Sequence, residues 1–200
     1  MPRKPSTPLI VTTPSPSSPQ TFFDGHPVPA LIVFDLDYTL WPFWVDTHVC
    51  APLKGKDGGQ RVVDRLGESF AFYPHVPQIF RDARMKNVSL AAASRTEAPE
   101  LARDMLKSLV VDGKLRGVDY FDYMQIYPGS KTTHLAKLQK QSGVDFADML
   151  FFDDEARNRN VESELGVLMY LVRDGITNDE VDRAVREWRS KRGKSGSYVV

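Results

Sequence analysis

The chain has 200 residues, 42% of them hydrophobic, and its 26 basic residues balance its 26 acidic residues. This size and composition predict one globular domain with its own apolar core, and the balanced charge argues against a general nucleic-acid-binding surface. Cys50 is the single cysteine, which excludes an intrachain disulfide, and no apolar stretch approaches the roughly 20 residues of a membrane span.

Two stretches at the chain ends are predicted to lack regular structure. Residues 1–29 are rich in Pro, Ser and Thr and carry no acid before Asp24, a composition typical of a disordered tail. Residues 191–200 mix Lys and Arg with Ser and Gly and predict a basic, flexible tail. The domain is expected to span residues 30–190. We expect a cytoplasmic monomer, with a nuclear location as the alternative if the basic end is an import signal.

Between the tails, strand-like apolar runs alternate with helical patterns. The predicted strands are Leu31–Phe34, Val88–Ala93, Tyr123–Ile126, Met149–Phe152 and Val167–Leu171. The predicted helices are Val76–Lys86, Glu97–Val110, Lys131–Gln141, Ala156–Leu165 and Asp179–Arg189. Gly143 and Gly166 stand where left-handed helix C-caps are expected. This alternation predicts an α/β fold, a doubly wound parallel sheet.

One segment interrupts the alternation directly after the first strand. Residues 41–74 contain repeated Pro and Gly and no convincing helix. We predict a small, cap-like insertion over the strand ends, with short strands near Gln60–Val63 and Phe70–Phe72.

Polar residues follow four of the predicted strands. They are Asp35, Asp37 and Thr39 after the first strand, Ser94 and Arg95 after the second, Lys131 after the third, and Asp153 and Asp154 after the fourth. The carboxyl ends of parallel strands lie at one edge of a sheet, so we expect these side chains to converge. Ser94 has helix capping as a simpler alternative role, and Asp153 and Asp154 have stabilisation of a helix N-terminus through its dipole. Lys131 opposes the dipole of the helix that it begins, which favours an anionic partner.

Four of these residues are carboxylates, and their convergence would cost energy. Two like charges about 4 Å apart repel by roughly 4 kcal/mol at an effective dielectric near 20. A divalent cation relieves this repulsion, with Lys131 as a second positive charge. Oxygen ligands favour Mg²⁺ over zinc, and the four histidines show no ligand spacing. The sequence therefore predicts a Mg²⁺ site.

The segments that carry these residues resemble the four motifs of the haloacid dehalogenase superfamily. Their sequences FDLDYTLWPFWVDTH, AAASRT, YPGSKTTHLAKL and FFDDEARN are similar to those of its eukaryotic magnesium-dependent phosphatases. The resemblance covers about residues 31–175, and the two tails, Ala156 and the residues between Lys54 and Gly67 depart from it. It implies a Rossmann-like fold and Mg²⁺-dependent hydrolysis of phosphate monoesters, with phosphotyrosine and phosphorylated sugars as substrate classes.

The resemblance also implies the catalytic roles. Asp35 would attack phosphorus and form an aspartyl-phosphate, which splits one displacement into two easier steps. Asp37 would protonate the leaving oxygen and then deprotonate the hydrolytic water.

The remaining roles concern binding. Ser94 and Lys131 would contact the phosphorylated substrate, and Arg95 would either contact it as well or form a surface ion pair. Asp153 would bind Mg²⁺ together with the Asp35 carboxylate and the Asp37 backbone carbonyl. Asp154 would be a water-mediated ligand or a partner of Lys131, and Thr39 would orient the nucleophile loop.

Three points stay open in the sequence. The aromatic residues Trp41, Phe43 and Trp44 either pack the base of the insertion or form a rim that admits flat leaving groups. A receiver-type signalling domain, with a phosphoacceptor Asp and an acidic pair on a similar sheet, is an alternative function. An inactive scaffold is another.

Overall fold

The computed structural model describes residues 18–195, with the side chains of residues 18–192. The strands are β1 (Leu31–Phe34), β2 (Lys54–Lys56), β3 (Arg61–Val63), β4 (Ser69–Phe70), β5 (Ser89–Ser94), β6 (Val110–Asp112), β7 (Leu115–Arg116), β8 (Tyr123–Ile126), β9 (Met149–Asp153) and β10 (Leu168–Leu171). The helices are α1 (Val45–His48), α2 (Val76–Met85), α3 (Pro99–Ser108), α4 (Lys131–Ser142), α5 (Asn160–Leu165) and α6 (Asn178–Ser195). No helix within residues 18–195 is long and apolar enough to cross a membrane.

Five strands form a parallel central sheet in the order β10-β9-β1-β5-β8. Strand β1 lies in the middle, where Phe34 pairs with Ala92 on one side and Phe152 on the other. All four residues of β1 are buried because helices cover both faces of the sheet. The predicted doubly wound parallel sheet is therefore confirmed.

Alternate side chains of the sheet enter two separate apolar clusters. Ile32 and Phe34 join the larger cluster, to which α2, α3 and α6 contribute, whereas Leu31 and Val33 join a smaller one with α4 and α5. Packing on both faces of the sheet fixes the positions of the strand ends. The polar residues that follow the strands therefore lie at one edge of the sheet.

The predicted element boundaries agree within one or two residues, except at the start of α5 and at the end of α6, which extends to Ser195 instead of Arg189. Residues 156–159 form a 3₁₀ turn ahead of α5, where one helix over Ala156–Leu165 was predicted. Helix α3 ends at Ser108 because Val110 enters the β6–β7 hairpin, which the sequence analysis did not predict. The left-handed C-caps are confirmed, with φ of 71° at Gly143 and 79° at Gly166.

The predicted insertion contains α1 and an antiparallel sheet in the order β2-β3-β4. Its side chains Trp41, Phe43, Val62 and Phe70 are buried in the larger cluster of the main domain. Helix α1 was not predicted because it has only four residues and no side-chain cap. Strand β2 was not predicted either, because its sequence Lys-Gly-Lys is fully exposed and carries no apolar pattern.

The predicted disordered tail 1–29 is wrong for residues 18–29, while residues 1–17 lie outside the described part. Phe22 is only 2% exposed, and the backbone N–H groups of Gln20 and Thr21 donate to Asp182 of α6 at 3.1 and 2.7 Å. Arg189 of α6 donates to the backbone carbonyl of Pro27 at 2.7 Å. Composition predicted disorder, but hydrogen bonds to a distant helix order this segment.

The predicted basic tail 191–200 also begins too early, since α6 continues to Ser195. Residues 196–200 lie outside the described part.

Asp182→Ala is expected to lower the free energy of unfolding by about 1–3 kcal/mol, because two backbone donors lose their buried acceptor. Urea unfolding measures this loss, and hydrogen exchange should accelerate at the Gln20 and Thr21 amides. Glu187→Ala is the matched control, since Glu187 is an exposed acid on the same helix. Equal exchange rates in both variants would show that Asp182 does not anchor the segment.

Candidate active site

The polar residues predicted at the strand ends converge at the carboxyl edge of the sheet. The backbone N–H of Asp35 donates to the Phe152 carbonyl at 2.9 Å, which places Asp35 directly beside the end of β9. Asp153 and Ser94 are the last residues of β9 and β5, the two neighbours of β1. The parallel register thus brings residues more than 50 positions apart into one site.

A tight turn follows β1 and separates Asp35 from Asp37. The Leu36 side chain is fully buried, and the Leu36 carbonyl accepts the Leu40 N–H at 2.8 Å. Tyr38 takes a left-handed conformation with φ of 51°, uncommon for a bulky residue. The turn directs both Asp35 and Asp37 into the same pocket.

Lys131 links three strand ends through its ammonium group. Its Nζ donates to Asp35 Oδ1 at 2.5 Å and to the Ala93 carbonyl, and forms an ion pair with Asp153 Oδ2 at 3.1 Å. The residue is 2% exposed. Burial alone would lower the pKa of Lys131, but the carboxylates of Asp35 and Asp153 raise it further than burial lowers it. The side chain is therefore held as a cation.

The start of α4 determines where Lys131 stands. Ser130 is the N-cap of α4, and its Oγ accepts the Thr133 N–H at 3.1 Å. The first residue after this cap is Lys131, whose side chain is buried against the β1 and β9 ends. A lysine in the first turn of a helix opposes the helix dipole, so an anionic partner was expected for Lys131. Asp35 and Asp153 are these partners.

Three carboxylates form a cluster beside this lysine. One oxygen from each of Asp35, Asp153 and Asp154 lies within 4.8 Å of the others. Burial raises the pKa of Asp35 well above its usual value, an effect that the nearby Asp153 reinforces and Lys131 opposes. Burial, together with Asp153, raises the pKa of Asp154 to about 6. One lysine does not balance three carboxylates, and the oxygen donors suit a hard divalent cation.

The position of Asp154 favours the first of the two roles considered for it. Its carboxylate belongs to the three-carboxylate cluster, while the ion pairs of Lys131 are to Asp35 and Asp153. The Asp37 side chain is not part of that cluster.

Asp37 is held by donors of its own. Its Oδ1 accepts the Trp41 Nε1–H at 2.7 Å and the Val45 N–H at 3.2 Å. Burial raises the pKa of Asp37 to about 6, although both hydrogen bonds lower it in part. The pKa of Asp37 therefore lies closer to neutral pH than that of an ordinary aspartate.

Asn158 is a site residue that the sequence analysis missed. It is 3% exposed, and its Nδ2 donates to both carboxylate oxygens of Asp153 at 2.9 and 3.0 Å. Its Oδ1 accepts Arg95 Nη1 at 3.2 Å. Asn158 therefore orients Asp153 and connects it to Arg95. The sequence signal that could have identified Asn158 is its side-chain amide five residues after Asp153, a spacing at which a turn brings the amide back to the carboxylate.

A pocket of about 360 Å³ opens over the site. Ser94, Arg95 and Lys131 line it, as predicted for the groups that contact substrate. The Ser94 Oγ accepts the Thr96 N–H at 3.3 Å and does not cap α3, whose N-cap is Ala98. Of the predicted 41–74 insertion, only Trp44, Asp46 and Thr47 contribute to the lining.

The three aromatic residues after the turn divide between the two roles considered. Trp41 and Phe43 are 0% and 5% exposed and stack on each other with centroids 5.4 Å apart. Trp44 is 50% exposed, lines the pocket, and contacts Tyr38 and His48. The first two pack the core, and only Trp44 forms a rim.

Thr39 supports the turn through its backbone. Its N–H donates to Leu36 at 3.2 Å, and its carbonyl accepts the Ile176 N–H at 3.0 Å. The side chain is buried, and its hydroxyl has no hydrogen-bond partner among the described residues. Thr39 thus connects the turn after β1 to the loop before α6.

The comparisons with known proteins agree with this geometry. A family model described as Acid Phosphatase matches residues 27–191. A HAD-like hydrolase superfamily protein of Schizosaccharomyces pombe is 45% identical over 70% of this chain and 83% of its own length. Human magnesium-dependent phosphatase 1 is 45% identical over 74% of this chain and 81% of its own length.

Among solved structures, the N-terminal part of a Bacteroides fragilis protein, containing a phosphatase domain complexed with Mg, superposes with a TM-score of 0.50. It has 16% identity and covers 82% of this chain and 39% of that chain, so it supports the fold alone.

The fold and the acidic site are those of the haloacid dehalogenase-like hydrolases, as the sequence motifs indicated. Within that class, the chain belongs to the acid phosphatase family. This membership favours a phosphatase over the receiver-type signalling domain.

Lys131→Met is expected to destabilise the protein by about 3–5 kcal/mol at pH 8 in metal-free buffer, because it leaves buried carboxylates unpaired. Without the ammonium group, the folded-state carboxyl pKa values rise further above their unfolded values. The folded protein then binds more protons, so its stability falls as pH rises from 5 to 8. Urea unfolding at both pH values measures the effect.

Lys140→Met is the control, since Lys140 is exposed on the same helix. If both variants unfolded alike at pH 8, the buried ion pairs would not stabilise the fold.

Proposed function

We propose that this chain is a Mg²⁺-dependent phosphatase that hydrolyses phosphate monoesters through an aspartyl-phosphate on Asp35. The observation that carries the proposal is the buried Lys131 ammonium between Asp35 and Asp153, with Asp154 completing a three-carboxylate cluster at the same edge. A phosphoryl group needs such positive charge and fixed oxygen ligands around it, because catalysis of its transfer is mainly positioning and charge neutralisation.

Asp35, Asp153 and Asp154 would hold the metal. Their donor atoms are all carboxylate oxygens, which Mg²⁺ prefers, and the human relative is named a magnesium-dependent phosphatase. When bound, Mg²⁺ supplies charge neutralisation for phosphoryl oxygens. Asn158 and Lys131 hold Asp153 in place through hydrogen bonds and an ion pair.

Asp35 is the nucleophile in this proposal. Its Oδ1 accepts a hydrogen bond from Lys131 at 2.5 Å, which fixes its direction and favours the ionised form against the burial that raises its pKa. Attack on phosphorus forms the Asp35–phosphate bond and breaks the bond to the leaving oxygen. Lys131 and the Ser94 hydroxyl, both lining the pocket, stabilise the charge on the transferred group.

Asp37 performs the proton transfers. In its protonated form it gives a proton to the leaving oxygen, and as a carboxylate it then takes one from the water that hydrolyses the aspartyl-phosphate. The pKa near 6 makes both forms accessible. The donors Trp41 and Val45 hold Asp37 Oδ1, so the group that moves the proton keeps a fixed place.

Phosphotyrosine and sugar phosphates are the substrate classes that we propose. The pocket is open, and the half-exposed indole of Trp44 lies on its rim, where it suits the flat face of a phenolic leaving group. Polar neighbours such as Thr47 and Arg95 on the same lining suit hydroxyl groups of a sugar.

Asp35→Asn is expected to abolish hydrolysis of an aryl phosphate while leaving the melting temperature equal or higher, because it removes one of three clustered carboxylates. In the native enzyme, EDTA should abolish turnover, and Mg²⁺ should raise the melting temperature by relieving carboxylate repulsion. Asp104→Asn, on an exposed position of α3, is the control. Turnover by Asp35→Asn at the native rate would refute the mechanism. If the native protein had no activity, the inactive scaffold would be the remaining alternative.

The pH profile tests Asp37. For an alkyl phosphate, whose leaving oxygen requires a proton, kcat/KM should fall above about pH 6 as Asp37 ionises. Asp37→Asn should remove this dependence and lower kcat/KM by roughly 100-fold or more.

Trp41→Phe removes a hydrogen bond that favours the ionised form of Asp37, so the pKa of Asp37 should rise. The decrease in kcat/KM for the alkyl phosphate should therefore begin at a higher pH. An unchanged profile in this variant, with the fold verified by its melting temperature, would mean that a different group controls the profile.

A further inference from the structure

A second pocket, also of about 360 Å³, adjoins the catalytic pocket. The two share Arg95, Lys131 and Arg157 in their linings. Beyond these, the second pocket is lined by residues of the loop before α4 and of the segment after β9: Gly129, Ser130, Asn158 and Asn160. Asp35 and Asp37 do not line it, so the second pocket lies outside the place where the proposed nucleophile and proton donor act.

The two pockets differ sharply in charge. The catalytic pocket combines three cations with four acids: Asp35, Asp37, Asp46 and Glu155. The second pocket has the same three cations and no acid in its lining. Hereafter it is called the cationic pocket. A surface of this kind favours an anionic group.

Of the three cations, Lys131 already has partners for its ammonium group within the protein. Its ammonium group is occupied by Asp35, Asp153 and the Ala93 carbonyl, and it is 2% exposed. The positive charge available to a ligand in the cationic pocket therefore comes from Arg95 and Arg157.

Each of these arginines retains unused donors. Arg157 donates through Nε and Nη2 to Glu155 at 2.9 and 2.5 Å, and its Nη1 makes no hydrogen bond within the described part of the chain. Arg95 donates through Nη1 to Asn158, whereas its Nε and Nη2 have no such partner there. Both guanidinium groups can therefore accept an additional anion without losing their present contacts.

Both arginines are also tied to the catalytic centre. The partner of Arg95, Asn158, bonds both oxygens of Asp153, and the partner of Arg157, Glu155, donates its backbone N–H to Asp153 Oδ1 at 2.8 Å. One buried carboxylate thus anchors the supports of both guanidinium groups. Such support gives the precision that recognition of a planar anion requires.

We propose that Arg95 and Arg157 form a subsite for a second anionic group, a carboxylate or a phosphate, carried by the leaving group of the substrate. This inference rests on the proposed phosphatase function. It narrows the substrate class to phosphate esters whose leaving group carries a carboxylate or a second phosphate. The transferred phosphoryl group lies at Asp35 in the catalytic pocket, and the rest of the substrate extends along the shared arginines into the cationic pocket.

The test compares aryl phosphates that differ in one substituent. The carboxylate arm uses 3- and 4-carboxyphenyl phosphate, each against its neutral carbamoyl counterpart. The phosphate arm uses 1,4-phenylene bisphosphate against phenyl phosphate. The measured quantity is the ratio of kcat/KM for the charged ester to that for the neutral one. Comparing this ratio between variant and native enzyme cancels differences in leaving-group acidity.

Arg157→Gln and Arg95→Gln are each expected to lower the ratio about tenfold in the arm that matches the natural group, as expected for a lost charge-assisted hydrogen bond. Arg157→Lys should restore part of it. Raising the salt concentration should lower the native ratio, because Arg157 is exposed and its charge is screened. Arg159→Gln is the matched control, since Arg159 belongs to the same 3₁₀ turn but lines neither pocket.

The outcomes separate cleanly. A lower ratio in both variants and an unchanged ratio in the control support the subsite, and the responding arm identifies its anion. Equal losses for charged and neutral esters would mean that the arginines serve the transferred phosphoryl group, which overturns the inference. Hydrolysis with a ratio that no variant changes also overturns it, while leaving the phosphatase function intact. No Mg²⁺-dependent hydrolysis of any ester would refute the phosphatase function itself.

Discussion

The contact of one buried ammonium group with two carboxylates determines much of this site. Lys131 reaches Asp35, Asp153 and the Ala93 carbonyl only because the ends of β1, β9 and β5 are adjacent. Burial of a charge costs several kcal/mol unless partners compensate it, so this arrangement requires the complete fold. The same contacts bring the proposed nucleophile Asp35 and the proposed metal ligand Asp153 to one cation.

The second constraint is the division of the acids into two environments. Asp35, Asp153 and Asp154 crowd together and are suited to a cation, whereas Asp37 is held apart by Trp41 and the Val45 backbone. Leu36, which stands between the two aspartates in the sequence, is buried and anchors the turn that separates them. Identical functional groups thereby acquire different chemistry from their surroundings, as pKa tuning in active sites requires.

Much of this was accessible from the sequence, for definite physical reasons. The run Leu31–Phe34 has no polar residue because both faces of β1 are covered, so its bounds were predicted correctly. Lys131 was identified because a cation at a helix start needs an anion. By contrast, β2 consists of exposed Lys and Gly, and the order of residues 18–29 depends on bonds to Asp182, more than 150 residues away. Neither leaves a local pattern.

The sequence by itself determined the parallel α/β fold, the family and the set of polar residues at the strand ends, because burial, helix capping and strand ends depend on neighbouring residues. Only the tertiary structure decided how those residues share the work: that Asp154 joins the carboxylate cluster, that Asn158 orients Asp153, and that only Trp44 of the three aromatic residues reaches the pocket. These are matters of distance between side chains from different strands and loops. They follow from sheet register and core packing, which no single segment of the chain specifies.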